Sequence, residues 1–139
     1  MRKFLIATHG TFAGGIRSSL EMIIGQQEHV HLIQAYVEEN KGLEEELGAL
    51  LADLSEEDEL VIFTDLLGGS VTNQVLRHAL KDNVHIVSGF NLPLLVDVLM
   101  AGPEEPVMEV IAHAIQAARD QMVYVNGLVT SQQPDDFND

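Results

Sequence analysis

Apolar residues fall into short unbroken blocks, separated by longer stretches where they recur every three or four positions. Phe4-Leu5-Ile6-Ala7 and Val61-Ile62-Phe63 are blocks of the first kind. Such blocks, too short for a helix, read as strands buried on both faces. Four predicted strands cover roughly residues 3–8, 30–36, 60–64 and 84–87. Between them the period is helical. Ile16, Leu20, Ile23 and Ile24 mark one face of a helix over about 11–24, closed by Gly25. Leu43, Leu47, Leu50, Leu51 and Leu54 mark a second helix over about 43–54. Glu44, Glu45 and Glu46 stand in its first turn, where carboxylates suit the positive helix end. A third helix over 70–81 turns Val71, Val75, Leu76 and Ala79 inward. Gly89-Phe90-Asn91 leads into a short helix with Pro93 in its first turn, and a last helix covers about 107–121. Val123-Tyr124-Val125 and Leu128-Val129 read as a final strand around Asn126-Gly127.

Strands alternating with helices predict a three-layer α/β/α sandwich around a mostly parallel sheet. Right-handed crossovers and the short chain point to a flavodoxin-like strand order, 2-1-3-4. That order makes strands one and three neighbours at the switch point, where such sheets open a crevice. Residues 1–129 are expected to form one domain, with an acidic, flexible tail over 130–139.

Composition narrows the picture. A length of 139 residues suits a single core, and 46% apolar with 21% charged residues is ordinary for a globular domain. The absence of cysteine excludes disulfides and thiolate metal sites, and fits a cytoplasmic setting. The apolar run after Met1-Arg2-Lys3 breaks at Thr8-His9-Gly10, too early for a signal core, and no stretch reaches membrane length. A formal charge of −15 argues against a nucleic-acid binder. Glu38, Glu39, Glu44 to Glu46 and Glu56 to Glu59 account for part of it as solvated faces.

The candidate chemistry gathers at the strand ends. His9 leaves strand one, and Asp65 leaves strand three ahead of Gly68-Gly69-Ser70. An unperturbed imidazole is largely neutral at cellular pH, so one ring nitrogen can attack while the other donates to an acceptor. A nearby carboxylate such as Asp65 fixes the tautomer and stabilises a ring that becomes charged. Phosphoryl transfer needs little more, because positioning and charge stabilisation carry most of the work. Three helix starts, at Gly10 to Ala13, Gly68-Gly69-Ser70 and Gly89-Phe90-Asn91, offer amides for an anion, with Gly10, Gly68, Gly69 and Ser70 as the candidate phosphate contacts. Taken singly, each feature is an ordinary turn or cap. Their joint placement on one sheet edge carries the functional reading.

Other residues offer less. His29 and His31 alternate on one strand without a third metal ligand, and His78, His85 and His113 show no partners in the sequence. No metal or cofactor is expected. The lysine of a nucleotide phosphate loop is missing, as is a G-x-G-x-x-G signature. Met22, Met100, Met108 and Met122 are expected to fill the core, and Arg17 to be a solvated cation.

The segments FLIATHGTFAGGI, VIFTDLLGGSVTNQ and VSGFNLPLLVDVLM, in that order, resemble the IIA component of the mannose-type sugar phosphotransferase system. The likeness runs from Met1 to about Gln121. It implies a phosphotransferase component in which His9 takes a phosphoryl group from the histidine phosphocarrier protein HPr and passes it to the IIB component. From there the group reaches a sugar entering through the membrane components IIC and IID. It places the assisting aspartate at Asp65 and the GGS serine at Ser70. It suggests Nε2 as the reacting nitrogen, with Nδ1 held by a neighbour. It also implies a homodimer whose C-terminal strand, here about 123–129, is exchanged between subunits. Many members carry proline after GGS, where this chain has Val71. Two other readings compete. One is the phosphotransfer subunit of a dihydroxyacetone kinase. The other is a non-catalytic flavodoxin-like binding or regulatory module, disfavoured because the sequence offers no conspicuous tryptophan or tyrosine near the crevice for stacking a flavin.

Overall fold

The computed structural model describes residues 1–37 and 42–131. Glu38, Glu39 and all but the first two residues of the expected tail lie outside them. Four strands, β1 (Arg2–His9), β2 (Val30–Ala35), β3 (Glu59–Thr64) and β4 (Val84–Ser88), form one sheet in the order β2-β1-β3-β4. All three pairings are parallel. The helices between and after them are α1 (Phe12–Ile24), α2 (Leu43–Ala52), α3 (Ser70–Ala79), α4 (Leu92–Met100), α5 (Val107–Asp120) and α6 (Val125–Ser131).

The pleat of β1 and β3 sorts their side chains between two cores. Phe4, Ile6, Val61 and Phe63 face one side, where they pack with α1, α4 and α5 residues such as Leu20, Leu95, Val98 and Ala114. Leu5, Ala7, Leu60 and Ile62 face the other, with Leu43 and Leu47 of α2 and Val71 and Val75 of α3. Both central strands are therefore apolar at successive positions, which is why they read as unbroken blocks. Truncating a fully buried residue such as Phe63 to alanine would cost about 3–5 kcal/mol. Among the described residues no helix is long and apolar enough to cross a membrane.

Several expectations need correction. The final strand at 123–129 is instead the short helix α6, with the Leu128 amide donating to the Tyr124 carbonyl at 3.1 Å. A strand needs another edge to satisfy its backbone, whereas a helical turn closes its bonds within the segment. The apolar side chains of Val123, Tyr124, Val125 and Val129 remain exposed. The four methionines are also outside the core: Met22 is 87% exposed, and Met100, Met108 and Met122 are similarly open. Their helix phase decides this. Met22 stands two residues from the buried Leu20, and Met108 is next to the buried Val107, so each points away from the sheet. The same logic exposes Ile23 and Leu76, and Thr72 takes the buried place on α3.

Candidate functional site

β1 and β3 end side by side, so the residues that follow them share one crevice. The register pairs Ala7 with Thr64 and, on the other flank, His9 with Ala35. His9 is the last residue of β1, and Asp65 is the first after β3. The Asp65 carboxylate accepts twice from His9 through Oδ2, from the backbone amide at 2.8 Å and from ring Nδ1 at 2.9 Å. Its Oδ1 accepts from the Leu66 amide at 3.0 Å. Burial pushes the Asp65 carboxyl upward, but the hydrogen bonds from the His9 amide and ring outweigh it. The carboxyl is held below its ordinary value. An ionised Asp65 can only accept, so Nδ1 carries a proton, and in the neutral ring Nε2 keeps a lone pair. Nε2 lies 3.2 Å from Ser70 Oγ. The ring is 38% exposed while its carboxylate partner is 11% exposed. The imidazole thus faces solvent, while the carboxylate hydrogen-bonded to it is largely shielded.

The glycine-rich turn allows this approach. Gly68 adopts φ +77°, a backbone shape that side chains resist. A Cβ on Gly69 would press on Leu66 at 3.2 Å and lie 3.5 Å from His9 Cε1. Beneath the turn, Thr72 and Thr64 hydroxyls meet at 2.7 Å, and Thr72 Oγ1 donates to the Leu66 carbonyl at 2.6 Å. That buried link ties the start of α3 to the end of β3.

Of the three helix starts expected to offer amides, the structure leaves one open. At α1, Ala13 donates to Thr8 Oγ1 at 2.9 Å and Gly14 to Gln34 Oε1 at 3.0 Å. At α4, the Asn91 side chain caps the Leu94 amide at 3.0 Å. The start of α3 has no side-chain cap, so its first-turn amides and positive end face the crevice beside His9. Gly10 and Gly69 do not serve as free donors. The Gly10 amide donates to the Ala35 carbonyl at 2.9 Å, and the Gly69 amide to the Leu66 carbonyl at 3.2 Å. They shape the turns instead.

Sequence reasoning missed Tyr36. Its hydroxyl donates to Ser70 Oγ at 2.8 Å and accepts from Gln74 Nε2 at 3.0 Å. The Tyr36 and His9 ring centroids are 5.7 Å apart. No local motif marks it; its place depends on the β1–β2 register. Beside the crevice, Phe12 stacks on Phe90 with centroids 5.4 Å apart. The remaining candidates stand elsewhere. Arg17 is ion-paired with Glu21 at 3.9 Å. His78 and His85 do have partners, Glu44 and Glu59. Among the described residues no group of three or more histidines and carboxylates is placed to hold a metal ion.

Residues 3–116 match the family described as the PTS (phosphotransferase system) fructose IIA component. The chain belongs to this family. Over 119 residues it is 34% identical to the mannose-specific EIIAB component of Escherichia coli strain K12, covering 84% of this chain and 37% of that protein. The chain thus spans little more than a third of that relative. The fructose-specific EIIA component of Bacillus subtilis strain 168 is 29% identical over 101 residues, 71% of this chain and 69% of that one. Among solved structures, a phosphoenolpyruvate-dependent sugar phosphotransferase permease from Klebsiella pneumoniae superposes with a TM-score of 0.86 at 37% identity, covering 92% of this chain and 93% of that one. The EIIA component from Streptococcus agalactiae gives 0.75 at 29% identity, over 91% and 99% of the two chains.

Proposed function

We propose that His9 is the residue that carries the phosphoryl group. The observation that carries this reading is the ring held through Nδ1 by Asp65 at 2.9 Å, with Nε2 turned toward Ser70 and the uncapped start of α3. The Nε2 lone pair forms the new N–P bond as the donor's N–P bond breaks, and the donor ring leaves with that electron pair. No proton has to move, because Nδ1–H stays on its carboxylate. The phosphorylated ring is a cation, and Asp65 stabilises it. Ser70 and the first-turn amides of α3, with Gly68 shaping their approach, meet the phosphoryl oxygens. A chain of net charge −15 can therefore accept an anion through local dipoles.

The donor in this reading is HPr, the acceptor is the IIB component, and the sugar-bearing membrane components follow it. This is a cytoplasmic role, with residues 1–129 acting as one carrier domain. The exposed apolar side chains between Met122 and Val129 support a homodimer in which that segment packs on the partner.

Incubation with phosphoenolpyruvate, enzyme I and HPr should add one acid-labile phosphate, read as a mass increase. A folded chain that gains none overturns the proposal, and a His9→Ala variant that still labels moves the site. Chasing the labelled protein onto IIB, or onto a dihydroxyacetone kinase subunit, separates the two possible acceptors.

A further inference from the structure

Tyr36 follows the last residue of β2, and its φ of +66° is the one positive value outside glycine among the described residues. A bulky residue keeps such a backbone only where its surroundings hold it there. Burial is not what holds it, because the side chain is 64% exposed. Its polar contacts are all with the site: Ser70 Oγ at 2.8 Å and Gln74 Nε2 at 3.0 Å, with its ring tilted 38° to that of His9.

Counting protons gives these contacts a direction. The Gln74 amide nitrogen can only donate, so the Tyr36 oxygen accepts there and its single proton goes to Ser70. Ser70 has then accepted, and its single proton points to Nε2, which in the neutral ring is unprotonated because the ring's one proton is on Nδ1, facing Asp65. The sequence Gln74, Tyr36, Ser70, His9, Asp65 is therefore one hydrogen-bonded chain of uniform polarity.

We propose that Tyr36 is a positioning residue for phosphoryl transfer, its hydroxyl fixing Ser70 as a donor toward Nε2 and toward the phosphoryl group that bonds there. This rests on the reading of His9 as the phosphoryl acceptor. When the Nε2 lone pair enters the N–P bond, the Ser70 proton turns to a phosphoryl oxygen while Tyr36 keeps the Ser70 oxygen in place. Without Tyr36, the Ser70 hydroxyl is free to rotate and spends part of its time donating to water.

The test is Tyr36→Phe, which keeps the ring and removes only the hydroxyl. Transfer from phosphorylated HPr should slow about tenfold, in kcat rather than KM. In a Ser70→Ala background the same change should have no further effect. In the unphosphorylated protein, the 15N resonance of His9 Nε2 should move toward its Ser70→Ala position while Nδ1 stays. Wild-type transfer rates in Tyr36→Phe, an unmoved Nε2 resonance, or an equal slowing in the Ser70→Ala background would overturn the proposal. If the wild-type chain takes no phosphate at all, the carrier reading fails, and the transfer role of Tyr36 with it. If wild type labels and Tyr36→Phe labels equally fast, Tyr36 alone fails.

Discussion

The two carboxylates that flank β3 use the same physics for different ends. Asp58, just before the strand, accepts from the Ser55 amide at 3.0 Å. It also meets the amino terminus of Met1 at 3.3 Å and Lys3 at 3.5 Å. The Ser55 backbone bond is the chief cause that lowers its pKa to about 2. Asp65, just after the strand, is likewise lowered by donors from His9. The difference lies in the donors. Around Asp58 they are cations and an amide with no lone pair left, so the cluster can only hold the strand start in place. Opposite Asp65 the donor is a ring whose second nitrogen keeps a lone pair and faces solvent. A depressed carboxylate marks a reactive site only when its partner has somewhere else to react.

The sharpest way to break this comparison is at the ring. Replacing His9 by alanine should abolish acid-labile phosphate completely, while Asp58→Asn leaves labelling at the wild-type rate; mass measurement after incubation with the phosphoenolpyruvate chain reads both. Next in size is Asp65→Asn. Its amide cannot accept from both the Leu66 amide and His9, and it lacks the charge that favours an imidazolium. Transfer should fall about a hundredfold by quench-flow, with thermal stability near neutral pH far less affected.

Acidification separates the two carboxylates by stability. Both are depressed in the folded protein, so their contributions are complete above the ordinary value of 3.8. They are lost as pH falls through the folded values, which for Asp58 lies at about 2. Urea midpoints should therefore decline across that window, and Asp58→Asn should flatten the decline while lowering the midpoint at neutral pH. A decline unchanged in the variant would remove Asp58 from the account. The smallest effect concerns the backbone beside the ring. Tyr36→Gly relieves a left-handed conformation that costs about 1 kcal/mol, so calorimetry should show a melting temperature no lower than wild type even as transfer slows.

Much of this site was legible because parallel strands announce themselves. Buried on both faces, β1 and β3 read as unbroken apolar blocks, and the residue that ends each block is the one the crevice receives. His9, Asp65 and Ser70 followed from that and from the strand order. What stayed hidden depends on contacts between distant segments. Nothing near Gln34 in the sequence says that its side chain will fill the start of α1, where Gly14 leaves room for it. Tyr36 becomes part of the site only through the β1–β2 register and a backbone angle that no propensity favours. The methionines misled because their residue type suggests the core while their helix phase puts them in solvent. The segment after α5 misled because strand-like composition cannot supply the neighbouring edge a strand needs.

Two of the three helix starts around the crevice are closed by the chain's own side chains, and one is open. A single opening has a kinetic consequence. In the proposed carrier role, the protein that delivers the phosphoryl group and the protein that collects it reach Nε2 through the same door, so they cannot occupy it together. Turnover in that role is then an alternation of two half-reactions, with one partner leaving before the other reacts. Double-reciprocal plots at several fixed partner concentrations should give parallel lines, and a trapped ternary complex should not form.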